Sequence, residues 1–102
     1  MKNLLLISAT SLILALQGCA GHPAFNDEGY LQYTKSIYEK IKNNPNYRRI
    51  PLDTDQQVDD FTTLEYKAYK KEISKEEFIR ELERQYPGYS ESIKWNADQL
   101  PE

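Results

Sequence analysis

The sequence predicts an all-α domain, a small bundle of three helices plus a short C-terminal helix, standing after a cleaved signal peptide. Three observations carry this reading. Apolar residues recur at three- and four-residue spacing through successive segments. Two Ser/Thr-x-x-Glu/Gln boxes, at Thr54/Gln57 and Ser74/Glu77, have the form of helix starts. Asn43-Asn44-Pro45 and Pro87-Gly88 have the form of helix stops.

In chain order, Asn26 is positioned to cap the first helix, with Phe25 and Tyr30 as the two ends of a hydrophobic staple. Tyr30, Leu31, Thr34, Ile37, Tyr38 and Ile41 share one face of that helix, and Lys35, Glu39 and Lys42 lie opposite. Residues 46–53 contain Tyr47, Ile50, Pro51 and Leu52 and read as a packed connection, because the residue before each proline is biased toward extended conformations.

The second helix opens at Thr54 and could run to about Glu72. Its apolar positions form two stripes, Phe61-Leu64-Ala68 and Val58-Thr62-Tyr66-Tyr69, with Glu65 and Glu72 between them, so it could touch two neighbours at once. Ser74 with Glu77, and Ile73 with Phe78, specify the start of the third helix twice over, as capping box and as staple. Phe78, Ile79, Leu82 and Tyr86 line one face of it. A single helix from Asp55 to Gln85 is the alternative, since no Gly or Pro breaks that stretch. A last helix, about Ser90 to Gln99, puts Tyr89, Ile93, Ala97 and Leu100 on one face and Trp95 on the other.

Targeting segments mimic structure and are set aside first. Met1-Lys2-Asn3 is a positive start and Leu4 to Leu16 is almost wholly apolar. That run is shorter than the roughly 20 residues a spanning helix needs and fits a signal peptide. Leu16-Gln17-Gly18-Cys19 resembles the lipobox of bacterial lipoproteins. The resemblance implies a diacylglyceryl group on the Cys19 thiol, cleavage immediately before Cys19, and attachment to a membrane through acyl chains. It divides the chain into signal peptide (1–18), lipidated Cys19 and tether (19–25) and helical domain (26–102). In enterobacterial lipoproteins an Asp after the Cys signals inner-membrane retention; Ala20 stands there, so the resemblance implies the periplasmic face of the outer membrane in a diderm host. The alternative is an ordinary signal peptide cut after Ala20 or thereabouts, leaving a free or lost thiol. Cys19 is the one cysteine, so no disulfide can form within the chain.

The stretch Leu64 to Leu82 is superficially similar to the short helical hairpin called SHOCT, with a basic-aromatic helix, a turn and an acidic start to the next helix. The Gly usual in that turn is missing, and no function follows from the similarity.

Composition narrows function by exclusion. Sixteen acidic against thirteen basic residues give no electrostatic footprint for nucleic acid. His22, the one histidine, sits three residues from the lipidation point and reads as a solvated tether residue rather than a catalytic base or zinc ligand. Asp53, Asp55, Asp59 and Asp60 lack the Gly and bidentate Glu of a calcium loop and read as helix-start carboxylates. Arg48-Arg49 beside Tyr47 reads as a solvated pair, with anion recognition as the alternative.

No catalytic residue, cofactor or metal site is expected. Eight tyrosines and Trp95 remain. Tyr30, Tyr38 and Tyr86 share faces with Ile and Leu and are expected in the core or its boundary. Tyr66, Tyr69 and Trp95 have no forced place and are the candidate partner-binding residues. The expected function is a membrane-anchored, non-catalytic interaction module whose partner is another envelope protein. The alternative is a binder of peptidoglycan or another envelope glycan that uses those three rings as stacking surfaces.

Overall fold

The computed structural model describes residues 22–102; the signal peptide and Cys19 lie outside them. A 3-10 turn, Pro23–Asn26, leads into four helices: α1 Glu28–Lys42, α2 Asp55–Tyr69, α3 Lys75–Gln85 and α4 Ser90–Asp98. No strand occurs among the described residues. None of these helices is long and apolar enough to cross a membrane.

Local signals explain most of the boundaries. Thr54 Oγ1 accepts from the Gln57 N–H (3.0 Å), and the Gln57 side chain returns to the Thr54 N–H (2.9 Å), completing the expected box. Ser74 Oγ accepts from the Glu77 N–H at 3.0 Å. The first helix differs from expectation. Asn26 belongs to the 3-10 turn, and Asp27 caps α1, its Oδ1 accepting from the Tyr30 N–H at 3.1 Å. The reason lies one step upstream. His22 starts the turn, its Nδ1 accepting from the Ala24 N–H (3.1 Å), so its Nε2–H is the donor toward Thr63 Oγ1 on α2 (2.8 Å). His22 is thus part of the fold rather than a solvated tether, and Ala24 is fully buried.

The second helix ends at Tyr69, three residues before the expected limit, and α3 is separate from it. Lys71 adopts the left-handed conformation (φ 66°). The Lys71 N–H donates to the Ala68 carbonyl (3.0 Å) and the Glu72 N–H to the Lys67 carbonyl (2.8 Å), the bonding of a Schellman stop. A lysine therefore occupies the place glycine usually takes, which is why no breaker was visible there. After α3 the chain turns differently, through a β-turn closed by the Tyr89 N–H on the Tyr86 carbonyl (3.3 Å), with Pro87 and Gly88 (φ 91°) at its centre.

The principal core unites α2, α3, α4 and the connection. Phe78, Leu82 and Ile93 are fully buried, joined by Ile50, Ala68, Tyr86, Ala97 and Leu100. Both faces expected of α3 and α4 are the buried ones. Ile73 packs against the same cluster as Phe78, in keeping with a staple. Arg48 fastens the connection to the α3–α4 turn: it donates to the Gly88 carbonyl (2.9 Å) and lies over the Tyr89 ring at 4.1 Å. Arg48 is thus engaged rather than simply solvated. The Ser92 hydroxyl donates to the Arg48 carbonyl, and Asn96 Nδ2 to the Tyr47 hydroxyl (2.9 Å).

Because a non-glycine residue in the left-handed region costs roughly 1–2 kcal/mol, part of it offset by glycine's greater chain entropy, Lys71→Gly should stabilise the domain by about 0.5–1 kcal/mol. Urea denaturation checks this; a loss of stability would show that the Lys71 side chain contributes more than its backbone costs.

Candidate functional site

Helix α1 lies mostly outside the principal core and is attached chiefly through its N-terminal half, with a further tie from Lys40 Nζ to Gln99 Oε1 after α4 (2.9 Å). Tyr30 is the hub. Its ring centroid lies 5.0 Å from Tyr66, 5.5 Å from Tyr69, 6.0 Å from Tyr33 and 6.4 Å from Phe25, mostly edge-on or tilted as the ring quadrupole favours. Tyr66 donates its hydroxyl to Asp27 Oδ2 (2.9 Å), so the carboxylate that caps α1 also holds α2. The Tyr30 backbone N–H and the Tyr66 hydroxyl, with Lys70 Nζ at 3.9 Å, hold the Asp27 carboxyl below its usual value. Gly29 permits the close approach: a Cβ there would fall 2.7 Å from the Tyr69 hydroxyl.

Beneath the hub lies Glu65, on the strip between the two stripes of α2. It is 6% exposed, and its Oε1 accepts from the Tyr30 hydroxyl at 2.5 Å. Burial raises its carboxyl to about 7, and the Tyr30 hydrogen bond opposes that rise only in part. No cation forms a salt bridge with it among the described residues. The neighbouring Tyr33 hydroxyl is buried without a hydrogen-bond partner among the described residues, and desolvation, then the Glu65 charge, push its ionisation upward.

Glu65 also faces outward from the hub, into a groove of about 530 Å³. One wall is the C-terminal half of α1 (Thr34, Ile37, Tyr38, Ile41); the other is Val58, Phe61 and Glu65 of α2. Ile50, Leu52, Tyr47 and Arg49 of the connection and Asn96 of α4 complete the lining. The groove exists because the aromatic hub joins α1 to α2 at one end while the connection passes between them at the other. The apolar stripe of α1 is consequently only half used. Tyr30 and Ile37 are buried, but Tyr38 is 63% exposed, which corrects its expected place in the core or boundary. Such a size and lining match ordinary ligand or peptide sites.

The expected partner-binding residues are not brought together. Tyr66 and Tyr69 stack on each other within the hub (6.3 Å), partly buried and engaged as described. Trp95 is half-buried on α4, its ring edge-on to Tyr47 at 5.2 Å. Neither Glu65 nor the groove was read from the sequence. The signal present was the acid's placement between two apolar stripes of a helix able to touch two neighbours. Among the described residues no three His, Cys, Asp or Glu side chains are grouped to hold a metal ion.

Glu65 makes stability depend on pH in a stated direction. Its native value, about 7, is raised above the ordinary 4.5. The native state therefore holds this proton more tightly, and the associated stability, present in full below the ordinary value, is lost as pH rises through about 7. Denaturation between about pH 5 and about pH 8 should lose on the order of 3 kcal/mol from this group, and Glu65→Gln should remove most of that fall. An unchanged profile in Glu65→Gln would show that this carboxyl is ionised throughout. No protein-family model, curated protein or solved structure matches the chain.

Proposed function

We propose that the chain is a lipid-anchored envelope protein, held to a membrane by acyl chains on Cys19, that acts as a non-catalytic module for binding another envelope protein. The observation that supports it is the groove: a cleft lined by apolar side chains of two helices and a connection, some buried (Ile37, Ile50) and some partly exposed (Ile41, Leu52, Val58, Phe61), beside an exposed Tyr38. A monomeric fold has reason to cover such a stripe, and α1 has the periodicity to be covered. Leaving the Tyr38–Ile41 half open forgoes burial worth about 25 cal/mol per Å² of apolar surface, which suits a surface whose second half belongs to a partner.

The rings offered for glycan stacking favour the protein reading. Tyr66 and Tyr69 meet each other and Tyr30 and are committed to the hub, which leaves Trp95, edge-on to Tyr47 and bordering a polar cleft with Ser36, Glu39, Lys40, Asn43 and Gln99, as the one ring of the three placed for a glycan. The groove also lacks the density of polar groups expected of a carbohydrate site. Anchoring within a few residues of His22 would keep the groove close to the bilayer surface, on the periplasmic face of the outer membrane in a diderm host.

Two experiments test this. Cys19→Ser should accumulate unprocessed precursor and abolish palmitate labelling; normal cleavage of Cys19→Ser, with no label in the wild type, would favour an ordinary signal peptide. A photo-crosslinking residue at Tyr38 should give a discrete protein adduct in intact envelopes, whereas the same residue at exposed Lys67 on α2 should not. Co-sedimentation with purified peptidoglycan and no Tyr38 adduct would overturn the protein-binding reading in favour of the polymer.

A further inference from the structure

Glu65 is an unusual residue to find in an apolar groove. It lies nine-tenths buried on a helix whose flanking stripes are apolar and aromatic, and its one hydrogen bond among the described residues is the Tyr30 hydroxyl. A buried carboxylate supported by a single neutral donor lacks the charge partner and the several hydrogen bonds that normally compensate burial. The groups facing it are Tyr30 and Tyr33 from α1 and Tyr47 from the connection, all neutral phenols; the nearest groove cation, Arg49, is exposed to solvent on the lining and forms no ion pair with it. The walls leading down to it, Ile37, Ile41, Val58 and Phe61, offer an apolar sleeve to whatever reaches the acid.

We propose that this groove receives an apolar helical segment of a partner protein bearing one basic side chain, whose ammonium or guanidinium pairs with Glu65. The inference rests on the protein-binding reading above and specifies what the partner inserts. Long basic side chains suit such a site, because an aliphatic stem can lie on apolar walls while its charged head reaches a polar end. The stripe from Thr34 to Ile41, in which Ile37 is already buried and Tyr38 stands exposed, spans about 10 Å, two turns, the length over which a helix laid in a groove sets its i, i+3, i+4 and i+7 anchors. The inserted cation supplies the opposite charge that the fold itself withholds. Its binding requires the ionised acid, so near neutrality and below, entry of the cation drives a proton from Glu65 to solvent and affinity rises with pH through about 7.

The test uses the full-length protein in zwitterionic nanodiscs with isoleucine methyl NMR, reading Ile37, Ile41 and Ile50 in the groove against Ile79 and Ile93 outside it. The first probe is n-hexylammonium, compared with hexanol and hexanoate. Hexylammonium should perturb the groove methyls with about tenfold higher affinity than hexanol at pH 8, an advantage lost in Glu65→Gln and diminished at pH 6. The second probe is a synthetic amphipathic helix of about 15 residues with one central lysine on its apolar face, against the same peptide with norleucine there. The lysine peptide should bind more tightly to wild type, and the two should bind Glu65→Gln alike. Equal affinity for hexanol and hexylammonium, or preference for hexanoate through Arg49, would overturn the cationic assignment. Binding of hexylammonium but not of the lysine peptide would overturn the protein segment and leave a small-amine site. The Tyr38 adduct in envelopes is read independently of all these, so a failed charge preference with a surviving adduct rejects this inference while keeping the protein-binding reading.

Discussion

The buried hydrogen bond from Tyr30 to Glu65 is the contact on which the arrangement of α1 depends. The principal core joins α2, α3, α4 and the connection, and α1 touches that core mainly through Tyr33. What orients α1 is the hub around Tyr30, in which a backbone cap, a buried acid and several rings converge on one residue. Asp27 and Glu65 make the hub reciprocal: the first belongs to the α1 side and takes a proton donor from α2, the second belongs to α2 and takes one from α1. Opposed polar pairs of this kind specify register, since sliding α1 by one residue would leave Glu65 buried without the Tyr30 hydroxyl and part the Tyr66 hydroxyl from Asp27.

This economy has a cost that the groove makes useful. Among the described residues, ion pairing is absent where it would most strengthen the domain, because Glu65 is buried without a cation while the ion pairs observed lie on the surface, where each contributes little. A leucine or methionine at position 65 could pack between the same stripes, at the expense of the Tyr30 hydrogen bond. Retaining an acid there keeps a charge available at the bottom of an apolar groove. The α3–α4 part of the domain, with fully buried Phe78, Leu82 and Ile93, supplies the rigid support against which the less tightly held α1 can present its open stripe.

Helix existence, type and inward face were legible because they depend on short-range chemistry. The capping box at Thr54, the Ser74 cap, which lacks the return bond from Glu77, the breakers after Lys42 and Gln85, and the spacing of Phe78, Leu82, Ile93 and Ala97 each act within a turn or two of the chain, so reading neighbours in the sequence is reading neighbours in space. The errors at helix ends have equally local causes of a less common kind. Asp27 displaced Asn26 as a cap because a histidine-started turn consumed the preceding residues, and α2 stopped at a lysine in a conformation that usually announces itself by glycine.

Legible without coordinates were an all-helical domain, the helix starts at Thr54 and Ser74, the buried faces of α3 and α4, and a cysteine in a lipobox-like setting. Only the tertiary structure decided that Tyr38 lies outside while Tyr30 lies inside, that Tyr66 and Tyr69 serve the hub, and that Glu65 sits at the bottom of a groove. The reason is that helical periodicity defines a face but not how far along its length that face is covered. Coverage depends on where a second helix crosses and what passes between them, here a connection that separates α1 from α2 beyond the aromatic hub. Whether an acid between two apolar stripes is solvated or buried turns on that same crossing, which no pattern within a single helix encodes.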